Sequence, residues 1–312
     1  MLNPELRKKD LYKQGYRFAG SHSAIKPCLW LKKSLNNQGA CYKNKFYGIQ
    51  SERCIQSSLD IDYCNLSCVW CWRDINFKTK SQKKWDSPKE ILNNLTKEHI
   101  KLIQGYGGNE NVSKEKFSNA NQPKHFALSL SGDACNYPRL PELLREIKKR
   151  KMTSFLVTNG TYPKMLKKIL KQQPTQLYLT LPSYDEESFN KLCKPRSKEL
   201  WKNILSSLKL LPKFKRNTLR LTLVKNLNLK HPEKYAKLVK NLNIKFIELK
   251  AAMCVGYATE RIDYKQMPLH PEIKAFAEQL AKLINYKIID ESKESRVCLL
   301  MKRDSKDRKI QF

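Results

Sequence analysis

Acidic residues are few in this chain. Its 312 residues include 29 Asp and Glu against 61 Lys and Arg, which leaves a formal charge of +32 at neutral pH. Lysine enrichment of thermophilic origin ordinarily comes with matching glutamate, and here the match is missing. A polyanionic partner is the better explanation, and on charge alone RNA, DNA and an anionic membrane all qualify. Apolar runs are short as well. None approaches the ~18 residues that a spanning helix needs, and the N-terminal stretch MLNPELRKKDLYKQGYRF has no apolar centre of a secretory signal. The expectation is a cytoplasmic protein with no membrane partner. In that reducing compartment the ten cysteines are better explained as metal ligands and buried thiols than as disulfides.

A ligand is missing too. Residues 61–74 read IDYCNLSCVWCWRD, placing Cys64, Cys68 and Cys71 in the spacing C-x3-C-x2-C with Trp70 and Trp72 beside the last cysteine. Three thiolates wrap one inorganic centre but fall one short of the four in a closed zinc or iron–sulfur site. An iron–sulfur cube held this way keeps one iron open; a zinc knuckle or plain buried thiols is the blander alternative. Upstream, Cys28, Cys41 and Cys54 are separated by 13 and 13 residues. That even, wide spacing is no zinc finger, so these are three separate buried cysteines or a second ligand set. Lys43 and Lys45, in CYKNKFYG, are two surface lysines or, beside a cationic centre, amines whose protonated form is disfavoured and which attack a ketone.

Apolar segments at 53–59, 125–131, 152–160, 176–185, 220–226 and 246–253 read as strands, with amphipathic helices between them. One such helix, at 88–106, has Ser87 as N-cap and an apolar stripe of Ile91, Leu95, Ile100 and Ile103. Another, at 271–286, presents Phe276, Leu280, Leu283 and Ile284 on one side. Six strands with helical crossovers predict an α/β fold, an open (β/α)6 TIM-like partial barrel, with all strand carboxyl ends and the chemistry on one face. Arg220, Thr222, Glu248 and Lys250 alternate onto one strand face, either into the lumen or at solvent-exposed strand ends. The predicted organisation is an N-terminal extension over 1–50, a core over 51–290, and a closing strand with a charged tail over 291–312.

The three-cysteine motif resembles that of the radical S-adenosylmethionine (radical SAM) enzymes. The resemblance implies that Cys64, Cys68 and Cys71 hold a [4Fe–4S] cluster whose open iron chelates S-adenosyl-L-methionine, and that reduction releases a 5′-deoxyadenosyl radical. It also implies that Ser131, Gly132 and Asp133 meet the cofactor after the second strand. There the glycine permits close approach and the acid accepts from the methionine ammonium. Thr158 and Asn159 would face the ribose.

The evenly spaced cysteines, CYKNKFYGI, the CWR of the cysteine loop, LSLSGD, TNG, QLYLTL, RLTLVK, FIELK and SRVCLL together resemble the tRNA 4-demethylwyosine synthase family, over about residues 20–300. That resemblance implies a carbon–carbon lyase that builds the tricyclic base beside the anticodon of phenylalanine tRNA. Its substrate would be N1-methylguanosine, its two-carbon donor pyruvate, and its first step hydrogen abstraction from the N-methyl group. It implies a second [4Fe–4S] cluster on Cys28, Cys41 and Cys54, and a Schiff base between pyruvate and Lys43, with Lys45 as alternate. An external protein would donate the electron, and a monomer is expected. Two departures stand out. The chain reads SGDAC where the family usually reads SGEPT, and Pro182 and Ser183 replace an acidic and a small residue ahead of Asp185. Cys135 in that turn is read as an unliganded thiol. Lys32, Lys33, Lys43, Lys45, Lys78, Lys80, Lys83 and Lys84 offer a phosphate-binding rim. Trp30, Tyr42, Phe46, Tyr47 and Trp72 offer faces for an extruded base, or else shield metal from water. The competing classes are another two-cluster radical SAM enzyme, acting on a different RNA or a small molecule, and a non-enzymatic metal-binding nucleic-acid module. The module leaves the strand–helix pattern unexplained.

Overall fold

A computed structural model describes residues 4–77 and 84–311. After a charged helix α1 (Pro4–Lys13) come two short strands, β1 (Arg17–Phe18) and β2 (Ala24–Ile25), and two short helices, α2 (Leu29–Leu35) and α3 (Tyr42–Tyr47). The six expected strands follow as β3 (Cys54–Ser58), β4 (His125–Leu128), β5 (Thr153–Thr158), β6 (Gln176–Thr180), β7 (Asn217–Leu223) and β8 (Phe246–Ala251). They pair in sequence order and all in parallel. Their carboxyl ends therefore share one face. Helix α4 (Pro88–Ile103), between β3 and β4, starts at a capping box in which the Ser87 hydroxyl accepts from the Glu90 amide. Ile91, Leu95 and Ile103 are buried as the stripe requires, but Leu92 and His99 share that face while Ile100 is only half-buried. In the helix His270–Ile284, Leu283 is 41% exposed, and Ile273, Ala277 and Ala281 fill the inner face in its place.

The ends of the sheet differ from the expectation. β1 and β2 extend it antiparallel beyond β3, so the N-terminal segment is built into the sheet rather than preceding it. The single closing strand is a hairpin of β9 (Lys287–Ser292) and β10 (Val297–Met301), with β10 antiparallel to β8. The charged tail is docked. Ile310 N donates to Tyr47 O at 2.8 Å and Arg308 Nη1 to Phe46 O at 3.0 Å. No helix among the described residues is long and apolar enough to cross a membrane.

Helix α3 fills the lumen. Tyr42, Phe46 and Tyr47 are buried against Phe155, Tyr178 and Phe246 of the barrel strands and Val297, Leu299 and Met301 of β10. These three aromatics therefore do not offer themselves to an extruded base: they are core. The alternating polar residues of β7 and β8 turn inward to meet them. Glu248, fully buried, accepts from Tyr47 OH at 2.7 Å, from Tyr42 OH at 3.0 Å, and from Arg220 Nη2 and Nε at 2.6 and 3.2 Å. The Arg220 guanidinium also lies 4.7 Å from the Tyr178 ring centroid. Burial raises the hydroxyl pKa of Tyr42 and Tyr47, which keeps them protonated as donors. A buried ion pair is tolerated when every lone pair is satisfied, and breaking one by removing a partner costs about 3–5 kcal/mol. Glu248→Ala is expected to destabilise the chain on that scale, read as the midpoint of urea unfolding. A loss below about 1 kcal/mol would show the network to be dispensable.

At the opposite end of the strands His125 is buried, its Nε2 accepting from Gln50 N at 3.2 Å and its Nδ1 lying 2.6 Å from Thr153 Oγ1. Burial, helped by Arg53 and Lys124, lowers its pKa to about 3. The unfolded chain, with a histidine pKa near ~6.5, takes the proton first. The stability contributed by the neutral ring is complete above about pH 6.5 and is lost as pH falls toward 3, at up to ~1.4 kcal/mol per unit. His125→Gln, which does not titrate, should flatten that part of the stability–pH profile. An unchanged slope in the variant would rule the assignment out.

Candidate active site

The loop after β3 carries Cys64, Cys68 and Cys71, and it is held from three sides. Cys71 N donates to Cys68 O at 3.0 Å within the loop. Ser67 N and Val69 N donate to Cys193 O and Leu192 O, at 2.7 and 2.9 Å, which pins the loop to the last turn of the helix Glu186–Cys193. From the loop after β8, the Arg261 guanidinium donates to the carbonyls of Val69, Cys71 and Arg73. Arg73, buried, donates to Leu66 O at 3.0 Å. Burial opposes its charge, but the thiols of Cys64, Cys71 and Cys68 favour it and hold its pKa above the usual value. All three thiols thus act electrostatically on one guanidinium. Burial pushes the Cys64 thiol up to about 12, with Arg73 opposing the shift. Cys68 is raised by its hydrogen bond to Cys193 and by burial. Loading a cationic centre therefore displaces protons from these thiols.

Gly132 makes the fit between this loop and the next turn. Its φ is +70°, and a Cβ there would lie 2.1 Å from Asp60 O and 2.7 Å from Tyr63 O. Ser131 N donates to Ser58 Oγ, which donates back to Ser131 O, both at 2.7 Å. Asp133 is engaged by the protein itself. Its carboxylate, 2% exposed, accepts from Cys135 N at 2.8 Å, Asn159 N at 2.7 Å and Thr158 Oγ1 at 2.9 Å. It ties the β4 turn to the end of β5. Thr158 is spent on that same carboxylate. Asn159 reaches the cysteine loop instead, donating to Asn65 Oδ1 at 3.0 Å with Cys64 Sγ at 3.7 Å. The Cys135 thiol is buried against Asp133 and Thr158. Asp185 caps its own helix by accepting from Ser188 N at 2.9 Å.

The upstream cysteines converge from three elements. Cys28 caps α2, its Sγ accepting from Leu31 N at 3.3 Å; Cys41 precedes α3 and donates its N–H to Ser51 Oγ at 2.9 Å; Cys54 opens β3. Burial raises all three thiols, Cys28 further raises Cys41 and Cys54, Cys41 further raises Cys54, and Lys43 counteracts in each case. Lys43 is 9% exposed, with Nζ 4.8 Å from the Tyr178 ring centroid and 5.4 Å from that of Phe155. Lys45 points the other way: its half-exposed ammonium pairs with Asp290 at 2.9 Å and donates to Glu291 O at 2.7 Å. A second lysine, Lys250, donates to Ser295 O at 2.6 Å, and burial lowers its pKa to about 8. Trp72 is 49% exposed at the rim and Trp30 half-buried. Of the proposed lysine rim, Lys32 and Lys84 are exposed and Lys33 lies over the Trp30 ring, whereas Lys78, Lys80 and Lys83 fall outside the described residues.

Three roles escaped the sequence reading. Arg73 stands in the quoted CWR, two positions past Cys71, where a buried cation beside three thiols was open to inference. Arg261 and Cys193 are brought to the loop only by the fold.

A barrel of six parallel strands with three thiols gathered at its carboxyl face defines the chain as a radical SAM enzyme, and the radical SAM superfamily profile matches residues 59–239. A second profile, described as wyosine base formation, matches residues 243–302. The chain is 43% identical over 298 residues to the S-adenosyl-L-methionine-dependent tRNA 4-demethylwyosine synthase of Pyrococcus abyssi, covering 94% of this chain and 87% of that one. With the human enzyme of that name it shares 36% identity, over 98% of this chain and 42% of the other. The structure of TYW1 with a lysine-pyruvate adduct bound superposes with a TM-score of 0.90 at 36% identity, covering 99% of this chain and all of the other. A crystal structure of archaeal TYW1 gives 0.82 at 34% identity, again over 99% and 100%. The chain belongs to the tRNA 4-demethylwyosine synthase family, whose members form the wyosine base of tRNA by radical SAM chemistry.

The donor set fits the cluster this chemistry needs: three thiols on one loop, a buried guanidinium whose charge they favour, and a cradle that no Cβ enters. Gly132→Ala should displace the loop and lower both the iron bound per chain and 5′-deoxyadenosine formation by more than tenfold, a loss of about 1.4 kcal/mol or more in the equilibrium or barrier concerned. Full iron content and normal S-adenosylmethionine cleavage in the variant would refute the cradle.

Proposed function

We propose that the chain condenses pyruvate with N1-methylguanosine in tRNA, using Lys43 to capture the pyruvate and Cys28, Cys41 and Cys54 to hold a second [4Fe–4S] cluster. The observation that carries the reading is the Lys43 amine. It is buried, it makes no hydrogen bond or ion pair among the described residues, it faces two aromatic rings, and it acts on all three upstream thiols. An unpaired buried amine is costly unless something binds it. A 2-oxo acid answers that need: the amine adds to the ketone, water leaves, and an imine holds the methyl-bearing fragment against the Tyr178 and Phe155 rings. Lys250, on the same lumen wall, supplies a cationic partner for a carboxylate when protonated. Lys45 has no such part, because Asp290 holds it outside.

When bound, the clusters and S-adenosylmethionine supply the electron and the radical that takes a hydrogen atom from the N-methyl group. The chain's own residues hold the reactants. Arg73 and Arg261 fix the loop of Cys64, Cys68 and Cys71, Gly132 admits the cofactor-side turn, and Asn159 braces Cys64. A relative solved with a lysine-pyruvate adduct, at a TM-score of 0.90, supports the assignment of a lysine. The partner set is tRNA, pyruvate and an external electron-donor protein.

Borohydride reduction of the enzyme with labelled pyruvate should fix label on the peptide containing Lys43. Lys43→Ala should abolish both that label and the tricyclic nucleoside found by mass spectrometry. Lys45→Ala should retain both. Trapping on Lys45, or undiminished product from the Lys43 variant, would overturn the assignment.

A further inference from the structure

We propose that the cleft between the cysteine loop and the turn at 194–196 binds one phosphodiester of the RNA substrate, with Lys194 and Arg196 as its cationic contacts. This rests on tRNA being the substrate and adds where its backbone is gripped. The cleft has a volume of about 510 Å³ and is lined by Ser67, Ile75, Asn76, Lys194, Pro195 and Arg196. That size falls in the ~300–1,000 Å³ range of ligand pockets. The lining contains two cations, two neutral hydrogen-bonding side chains and no acid.

Position distinguishes these two basic residues from the others of a chain with net charge +32. Ser67 lies between Cys64 and Cys68, so the cleft opens on the loop that carries the thiols. A nucleotide swung into the site must leave its flanking phosphates at that rim.

The backbone that carries the cleft's cations is also held in place. Lys194 occupies the left-handed region at φ +41° as the C-cap of the helix Glu186–Cys193, its N–H bonded to Asn190 O at 3.1 Å. Pro195 stiffens the next position. Arg196 N donates to Asn65 O at 3.0 Å, and its guanidinium lies over the Tyr63 ring at 5.1 Å. A helix carboxyl terminus would ordinarily repel an anion. Here the Leu192 and Cys193 carbonyls are consumed by the amides of Val69 and Ser67, which blunts that repulsion. S-adenosylmethionine, with an ammonium and a sulfonium against a single carboxylate, suits a wall of two cations poorly. A phosphodiester, with its unshared negative charge, suits it well.

The test uses the cluster-loaded enzyme and tRNA containing N1-methylguanosine, with affinity measured by fluorescence anisotropy from about 50 to 200 mM salt. Lys194→Gln with Arg196→Gln should weaken tRNA binding roughly tenfold, and the slope of log affinity against log salt should fall by about 1, the release expected for one phosphate. Lys209→Gln, a charge loss on the exposed side of another helix, should leave the slope unchanged. Iron content and 5′-deoxyadenosine formation without tRNA should stay at wild-type levels in the double variant. Wild-type affinity and slope in that variant would overturn the proposal. So would a loss of tRNA-independent S-adenosylmethionine cleavage, which would assign the cleft to the cofactor. A wild-type enzyme that binds no tRNA would instead overturn the substrate reading and the cleft's role with it.

Discussion

The carboxylate of Glu248 is the point on which the architecture turns. It is fully buried in the lumen of a barrel that is open on one side, and the sheet, through Arg220, satisfies only its Oε2. Arg220 supplies the charge from β7, but two of its bonds come from Tyr42 and Tyr47 on α3. The N-terminal segment is therefore drawn into the barrel by a polar demand as well as by apolar burial. An unsatisfied carboxylate at that depth would cost several kcal/mol, more than one aromatic side chain contributes by burial. Insertion of α3 has a chemical consequence. Cys41 precedes its first residue and Lys43 is its second, so the contact that seals the lumen also delivers a thiol and an amine into it.

The two ends of β3 then organise the chemistry. Cys54 opens the strand and the loop of Cys64, Cys68 and Cys71 follows it, so one five-residue strand connects both thiol sets. A rigid strand sets a fixed offset between them, which loops would not. The same logic explains why so many backbone groups are committed around the cysteine loop. Thiols that must accept a multi-iron centre gain from being held before it arrives, and Arg261, the Glu186–Cys193 helix and Gly132 each remove freedom from the loop. The cost of that order is met by folding rather than by cofactor binding.

Much of this was legible in the sequence because parallel strands are short apolar runs with sharp ends. LSLSGD, FLVTNG and FIELK stop at residues that favour turns or carry charge, and each stop falls within a few residues of an observed strand end. The cysteine loop was legible because its ligands are adjacent in sequence. Helix α3 was not. Six residues are too few for a 3.6-residue period to emerge, and YKNKFY reads as a basic surface segment until β7 and β8 provide the partner for its tyrosines. Leu283 was misplaced for a related reason: an apolar residue at the margin of a helical stripe goes wherever the neighbouring sheet ends. Arg261 lies 188 residues from the Arg73 carbonyl it binds, and no local pattern encodes such a contact.

The departure of SGDAC from the family pattern takes on a different meaning in three dimensions. A carboxylate at 2% exposure has to be satisfied from within, and Asp133 finds two amides and a hydroxyl at 2.7 to 2.9 Å. Two of those donors, Cys135 N and Asn159 N, belong to turns whose positions are set by Gly132 on one side and Gly160 on the other. The acceptor must end where those amides point. A carboxylate one methylene longer, on the same backbone, overshoots them. The shorter acid and the cysteine two positions on therefore form one local solution, in which the acid braces the end of β5 against the end of β4. Asn159, held by that brace, is then in position to touch Cys64. In this chain the acid acts on the thiol site through the asparagine it positions.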